Sequence, residues 1–304
     1  MRINWTGVGT ALVTPFARSG ELDAAAVRRL GRRQIDAGVH FLVPCGTTGE
    51  NPTLTNGERV RVVEILVDEA RGQVPVLAGA GGYDTAEVMR LAEDMRKAGA
   101  AGLLSVTPYY NKPTQEGLYQ HFRAIAESTP LPIVVYNVPS RTGCNIEPST
   151  LARLAGIPNI VGVKEASGNI SQMCDICGVV PADFIVLSGD DAVTLPLMAI
   201  GGRGIISVAS NEIPAEMVQM VEAAEQGDFV AARGVHRRIL PLMQINFIEA
   251  NPVPVKAAMA AMGLLEEAYR LPMCSAKPES KQKILDVLKK LDLLRGALVE
   301  HGSA

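Results

Sequence analysis

Apolar runs alternate with amphipathic stretches along the 304 residues of this chain. Eight runs rich in Val, Ile and Leu are predicted β-strands, at residues 8–15, 40–46, 74–80, 102–108, 132–139, 160–166, 184–190 and 204–210. The stretches between them place apolar residues at helical spacing, which predicts helices with one buried face. Strands that are apolar along their whole length are typical of a parallel sheet covered by helices.

Local signals mark where several of these helices begin and end. Thr55 and Glu58 have the spacing of a capping box, in which two side chains bind free backbone N–H groups of the first turn. Gly38, Gly72 and Gly99 follow the first three predicted helices, and glycine is the residue that most easily ends a helix in the left-handed conformation. The strands and helices therefore alternate as separate units.

Repeated strand–helix units of this kind predict a (β/α)8 barrel for residues 1–227. Residues 228–304 contain helical patterns without strands and predict a C-terminal helical region. The competing fold is a doubly wound sheet, which usually carries a glycine-rich turn after its first strand. The sequence TPFARSG at that point does not fit, and GAGGYD at 79–84 has Asp where such a motif ends in Gly.

Charge and composition narrow the classes of partner. The net charge is −3 and the basic residues form no stripe, so nucleic acid is not an expected partner. No apolar run is long enough for a membrane span and the first residues lack a signal-like apolar core, so we expect a cytoplasmic protein. The histidines are scattered without ligand spacing, and we expect no metal and no other cofactor.

One charged residue interrupts the apolar pattern of the sixth strand. Lys164 lies within VGVKEASG, residues 161–168. Strict alternation would point Ile160, Gly162 and Lys164 into the barrel and Val161 and Val163 towards the helices, with open space at the glycine. An ammonium group inside a core is costly unless it is paired or loses its proton.

Two interpretations of Lys164 are open on placement alone. A buried lysine beside Tyr136 is suited to act as a nucleophile that forms a Schiff base with a carbonyl substrate. Alternatively, Lys164 forms an ion pair with Glu165 or another internal carboxylate. Polar segments follow several predicted strands, at the end of a barrel where active sites lie, and placement alone favours neither interpretation. These segments read CGTTGEN, TPYYNKP, YNVPSRTG and KEASGN.

Four motifs together resemble one enzyme family. GTTGE at 46–50, TPYYNKP at 107–113, YNVPSRTG at 136–143 and VGVKEASGN at 161–169 resemble the dihydrodipicolinate synthase family. This family, also called 4-hydroxy-tetrahydrodipicolinate synthase, belongs to a superfamily of Schiff-base lyases that includes N-acetylneuraminate lyase. The resemblance implies condensation of pyruvate with L-aspartate 4-semialdehyde in lysine and diaminopimelate biosynthesis. The alternatives are cleavage of sialic acid or a keto-deoxy sugar acid, and a barrel that only senses a small acid.

The resemblance also implies catalytic roles. Lys164 forms the Schiff base with pyruvate, and Tyr136 donates and accepts protons beside it. Thr47 links Tyr136 to Tyr110 in a proton relay, and Tyr110 reaches in from a neighbouring subunit. The family pattern therefore implies a homotetramer built from tight dimers.

Further residues are implied to bind the substrates. Thr48 and the backbone at Ile206 hold pyruvate, and Arg141 binds the carboxylate of the semialdehyde. A planar guanidinium and threonine hydroxyls suit carboxylate ligands. Enzymes that cleave sugar acids need a pocket for polyols at the position of Arg141, so this residue favours the synthase.

A regulatory site for L-lysine, common among relatives, is only partly present. Glu87 and Tyr109 match its pattern. The other positions depart from it and carry Asn51, Pro52, Asn56, Arg59 and Tyr83. A cation at Arg59 opposes a cationic ligand, so we expect feedback by lysine to be weak or absent.

Overall fold

The computed structural model describes residues 5–294 and contains a barrel of eight parallel strands with helices between them. All eight predicted strands are confirmed, although most are shorter than their apolar runs. They are β1 Gly7–Ala11, β2 Phe41–Val43, β3 Leu77–Gly79, β4 Gly102–Val106, β5 Ile133–Asn137, β6 Ile160–Glu165, β7 Ile185–Ser188 and β8 Gly204–Ser207.

The sheet closes on itself. The strands pair in the order β2-β1-β8-β7-β6-β5-β4-β3, and a parallel bridge between Leu42 and Val76 joins the two ends. Closure leaves the sheet without an exposed edge and brings the carboxyl ends of all strands to one face. The predicted (β/α)8 barrel is therefore confirmed.

Helices cover the outside of the barrel. They are α1 Ala24–Asp36, α2 Asn56–Ala70, α3 Thr85–Lys97, α4 Gln115–Ser128, α5 Pro139–Thr142, α6 Pro148–Leu154, α7 Ile170–Val179, α8 Thr194–Ala199 and α9 Pro214–Glu225. The predicted capping box starts α2, where the Thr55 hydroxyl accepts the N–H of Glu58 and the Glu58 carboxylate accepts the N–H of Thr55. Gly38, Gly72 and Gly99 have positive φ after their helices, as predicted.

A C-terminal helical part follows α9. It consists of α10 Phe229–Ile245, α11 Val253–Ala261 and α12 Pro278–Lys290. The predicted C-terminal helical region is therefore confirmed, and residues 262–277 between α11 and α12 contain no helix, with Gly263 at a positive φ. Pro272 and Met273 of this segment lie over the barrel face that holds the carboxyl strand ends. The division at residues 227 and 228 stays a prediction, and residues 1–4 and 295–304 lie outside the described part.

Strand β6 departs from strict alternation. Val161 packs with Tyr136 in the cluster inside the barrel, whereas Ile160 packs with Val163 in the cluster beneath the helices. The predicted directions of Ile160 and Val161 are therefore wrong, and that of Val163 is right. The cause is a shift in register against β5, which pairs Ile133 with Ile160 but Val134 with Gly162. Such an irregularity re-aims the side chains that follow it.

The predicted open space at Gly162 is also absent. A Cβ atom added there would lie 2.5 Å from the carbonyl oxygen of Ile185. Glycine is required because the neighbouring backbone approaches closely, and not because room is left for a ligand. In the described part of the chain, no helix is both long enough and apolar enough to cross a bilayer.

Candidate active site

Lys164 lies at the carboxyl end of β6, inside the barrel. Its side chain is buried, with 5% of the residue exposed. Tyr136 lies opposite it on β5 in register, and the Lys164 Nζ is 4.3 Å from the centre of the Tyr136 ring. The pairing of β5 with β6 therefore holds the amine of Lys164 against the ring of Tyr136. The sequence predicts that these two residues lie side by side.

The ion-pair interpretation of Lys164 is not supported by the geometry. Glu165 is turned to the other side of the strand, where its carboxylate accepts hydrogen bonds from Asn137 Nδ2 at 2.9 Å and from the N–H of Ser167 at 2.7 Å. Across residues 5–294, no carboxylate lies within ion-pair distance of Lys164 Nζ. The amine is therefore held without a protein counter-charge, as a group that must attack a carbonyl carbon should be.

A cavity of about 290 Å³ opens at the carboxyl face of the barrel. Thr47, Tyr136 and Arg141 line it, together with Tyr109. Tyr136 connects Lys164 with the cavity. Its ring lies against Lys164 Nζ, and the residue also forms part of the cavity wall. This is the expected location for an active site in a (β/α)8 barrel.

Thr48, Ile206 and Tyr110 lie outside the cavity wall. Thr48 is buried and its hydroxyl accepts a hydrogen bond of 3.0 Å from Asn251 Nδ2. Ile206 is buried on β8, in the cluster inside the barrel that also contains Tyr136. Tyr110 is 91% exposed with a φ of 73°, so a single chain does not bring it to Thr47.

Arg141 lies on α5 with its guanidinium at the cavity. Its Nη2 donates a hydrogen bond of 3.4 Å to the carbonyl of Asn251, and no carboxylate within residues 5–294 pairs with it. Most of its donors are consequently available to a ligand. A guanidinium presents paired N–H groups that match a carboxylate in two parallel hydrogen bonds.

Three residues of the site were missed from the sequence: Asn251, Glu50 and Lys256. Asn251 contacts both Thr48 and Arg141, and Glu50 lines the cavity. Lys256 is buried against Glu50. A usable signal existed, since Lys256 interrupts the apolar stretch VPVKAAMAA of α11.

Of the two residues that match the pattern of an effector site, Tyr109 lines the cavity and Glu87 lies at the surface. Tyr109 packs edge-on against Tyr83 with ring centres 5.2 Å apart. Burial raises the pKa of Tyr109, and the charge of Arg59 acts in the opposite direction. Glu87 forms an ion pair with Arg90 on the exposed side of α3. For the part of the chain that the structure describes, no three His, Cys, Asp or Glu side chains are grouped to hold a metal ion.

A (β/α)8 barrel with an unpaired buried lysine and a tyrosine at the carboxyl ends of neighbouring strands has the layout of a Schiff-base lyase. Comparison with known families identifies the group. The model of the dihydrodipicolinate synthetase family matches residues 4–291, and the chain belongs to this family.

Individual relatives agree over nearly the full length. The 4-hydroxy-tetrahydrodipicolinate synthase of Koribacter versatilis (strain Ellin345) is 52% identical, over 96% of this chain and 98% of the relative. The dihydrodipicolinate synthase from Aquifex aeolicus matches with a TM-score of 0.93 and 44% identity, over 95% of this chain and 99% of that one. The chloride-inhibited dihydrodipicolinate synthase from Acinetobacter baumannii, solved with pyruvate, matches with a TM-score of 0.94 and 38% identity, over 95% and 100% of the two chains.

Proposed function

We propose that this protein condenses pyruvate with L-aspartate 4-semialdehyde to give 4-hydroxy-tetrahydrodipicolinate and water, in lysine and diaminopimelate biosynthesis. The observation that carries the proposal is Lys164 itself, which is buried, unpaired and in contact with the Tyr136 ring at the carboxyl end of the barrel. The names of the relatives support the same reaction.

The first half of the reaction builds a nucleophile from pyruvate. Lys164 Nζ attacks the ketone carbon, and loss of water from the adduct leaves an iminium ion. The positive nitrogen withdraws electrons, so a proton leaves the methyl group and an enamine forms. We assign the transfer of these protons to the hydroxyl of Tyr136, and the contact of the Tyr136 ring with Lys164 Nζ supports this assignment.

The second half joins the substrates and frees the enzyme. The enamine carbon attacks the aldehyde of the semialdehyde, and the new alkoxide takes a proton. The amino group of the second substrate then attacks the iminium carbon and displaces Lys164, which closes the ring. One water molecule is released overall, and no oxidant or reductant is needed.

The proton relay requires a second subunit. Thr47 lines the cavity of its own chain, whereas Tyr110 projects into solvent with 91% of its surface exposed. An exposed tyrosine in a left-handed backbone conformation is a suitable group to enter the site of a neighbouring chain. We propose a homotetramer of tight dimers in the cytoplasm, with Tyr110 completing the relay between subunits.

Substrate binding is assigned to three further groups. Thr48 and the backbone of Ile206 hold pyruvate, which the relative from Acinetobacter baumannii binds. Arg141 holds the carboxylate of the semialdehyde, because its guanidinium faces the cavity without a protein anion. A polyol chain of a sugar acid would instead leave this cation without a partner, which disfavours sialic acid and keto-deoxy sugar acids.

Reductive trapping tests the proposal. Borohydride added with pyruvate should attach one pyruvate-derived group per chain, and peptide mass spectrometry should place it on Lys164. An adduct on Lys112 or Lys256 would contradict the mechanism. In parallel, turnover should be measured with pyruvate and the semialdehyde, and with sialic acid and keto-deoxy sugar acids. Preference for a sugar acid would assign the protein to another member of the superfamily.

A further inference from the structure

A second lysine of this chain is buried more completely than Lys164. Lys256 on α11 is 0% exposed, and its Nζ lies 2.5 Å from Glu50 Oε1 and 3.0 Å from the carbonyl oxygen of Thr14. Two aromatic rings flank the ammonium, with centres at 4.5 Å for Phe16 and 5.2 Å for Tyr269. Burial lowers the pKa of Lys256, and the charge of Glu50 and its hydrogen bond oppose this change.

Glu50 belongs to the turn that carries Thr47, the proposed proton relay, and Thr48, the proposed pyruvate ligand. Its N–H donates a hydrogen bond of 3.1 Å to the carbonyl of Thr47. Its backbone has a φ of 54° and a ψ of 36°, a left-handed conformation that is uncommon for a residue with a side chain. The carboxylate that binds Lys256 therefore stems directly from the tight turn Thr47–Glu50.

A second contact runs from Lys256 to the same turn. The hydroxyl of Thr14 donates a hydrogen bond of 2.6 Å to the carbonyl of Gly49, while the carbonyl of Thr14 accepts from Lys256. The ammonium thus holds Glu50 directly and Gly49 through Thr14. A third contact comes from the segment just before α11, where Asn251 binds the hydroxyl of Thr48.

A buried ion pair contributes little to stability, since removing two charges from water costs about as much as their attraction returns. Its orientation is nevertheless well defined, because each partner has few alternative positions inside the protein. In this chain one partner comes from the C-terminal helical part and the other from the turn after β2. The ion pair therefore fixes the turn with Thr47 and Thr48 relative to α11.

We propose that Lys256 and Glu50 are positioning residues, which set the geometry of the Thr47–Glu50 turn so that Thr47 can relay protons and Thr48 can hold pyruvate. The C-terminal helical part then acts as a clamp on one half of the active site. This inference rests on the roles proposed above for the two threonines. It predicts that pyruvate binding and turnover depend on the ion pair, whereas binding of the semialdehyde by Arg141 does not.

The test is the double variant Lys256→Met with Glu50→Gln. It removes both charges and keeps similar side-chain volumes, so the protein should unfold in urea at a concentration close to that of the native protein. We expect kcat/KM for pyruvate to fall roughly a hundredfold, the effect of displacing a reacting group by about 1 Å. The KM for pyruvate should rise and kcat should fall, while the KM for the semialdehyde stays within twofold.

The control is Arg32→Met with Glu69→Gln, which removes the ion pairs of Glu69 with Arg32 and Arg28 between α1 and α2, at N–O distances of 2.7 and 2.8 Å. It should keep native kinetic constants. Glu50→Asp provides a second test. If the double variant does not fold, this variant still distinguishes a positioning role of the pair from a purely structural one. It keeps the charge but shortens the side chain, and it should raise the KM for pyruvate with native secondary structure retained.

Trapping with borohydride separates failure of this inference from failure of the proposed function. If pyruvate is trapped on Lys164 in the native protein but the variants at Lys256 and Glu50 keep native kinetics, the pair is only structural and the inference is overturned. If the native protein traps no pyruvate on Lys164, the proposed function fails and the inference falls with it.

Discussion

The regions around the two buried lysines handle positive charge in opposite ways. Lys164 and Lys256 are both almost fully buried, and both place Nζ against an aromatic ring, at 4.3 Å from Tyr136 and 4.5 Å from Phe16. Of the two, only Lys256 pairs with a carboxylate from residues 5–294, that of Glu50. The two lysines therefore differ in their counter-charge and not in their burial, and this difference supports the roles proposed for them.

The neighbouring arginines repeat this difference. Arg141, on the side of Lys164, binds a single backbone carbonyl and faces the cavity. Arg270, on the side of Lys256, holds both carboxylate oxygens of Glu58 and the carbonyl of Gly20. The hydrogen bonds from Arg270 hold the pKa of Glu58 down at about 2. Within residues 5–294, the cations of one region have no acidic partner, whereas those of the other are neutralised by the protein's own carboxylates.

The largest effect is expected from replacing the unpaired lysine. Lys164→Ala should lower kcat on the order of 10⁴-fold or more, the scale seen when a covalent nucleophile is removed. It should not lower stability through a lost ion pair, because Lys164 makes none within the described residues. Steady-state assays and urea unfolding measure the two quantities. The control is Lys97→Ala, which removes an exposed lysine of α3. Retention of more than a hundredth of the native activity would contradict the Schiff-base mechanism.

Replacement of Lys256, the lysine with an ion pair, should lower stability in the first place. Lys256→Met leaves the carboxylate of Glu50 buried without the counter-charge that binds it directly, so the free energy of unfolding should fall by about 3–5 kcal/mol. Adding Glu50→Gln removes that uncompensated charge and should restore most of the loss. Urea titrations of the single and double variants measure the coupling. A single variant as stable as the native protein would show that the pair is solvated, and the contrast between the two regions would disappear.

Much of the fold and part of the site follow from the sequence. The alternation of apolar runs and amphipathic stretches is a local property, so the strands, the barrel and the capping box of Thr55 and Glu58 could be predicted. Lys164 stood out because a charged residue interrupts an apolar strand. Tyr136 and Arg141 were recognised because they lie in motifs shared with a known family.

The remaining features depend on contacts between distant segments. Glu50 and Lys256 are 206 residues apart, and no periodicity links an acid in a turn to a lysine in a C-terminal helix. The register shift in β6 depends on how that strand pairs with β5, so alternation alone gave the wrong direction for Ile160 and Val161. Asp191 is likewise buried by a distant contact, because its carboxylate accepts the N–H groups of Val208 and Ala209 in the turn after β8.

A smaller effect is expected at the free arginine. Arg141→Lys keeps the charge but loses the paired N–H geometry, so the KM for the semialdehyde should rise roughly tenfold to a hundredfold, the value of one or two charge-assisted hydrogen bonds. The KM for pyruvate should change little. Initial rates with each substrate varied in turn measure both constants. Equal damage to both would mean that Arg141 organises the whole cavity.

The smallest effect is expected from L-lysine as an effector. At its predicted site, as around Lys256, charged side chains already bind other groups of the protein. Glu87, the anion expected to bind a cationic ligand, already pairs with Arg90. That pair is exposed, and displacing Arg90 would cost at most about 1 kcal/mol. The stronger obstacle is Arg59, whose charge reaches Tyr109 and whose guanidinium binds the carbonyl of Asn51.

Two features act together against lysine at this site. Arg59 repels a second cation, and Tyr83 fills the space beside Tyr109 with its ring. Each lost hydrogen bond to a charged ligand costs about 1.5–3 kcal/mol, so two such losses weaken binding by roughly 10²–10⁴-fold. Initial rates should therefore stay nearly unchanged at millimolar L-lysine, with D-lysine as the control. Clear inhibition by L-lysine, with the ligand located beside Glu87 and Tyr109, would show that the site accepts a cation despite Arg59.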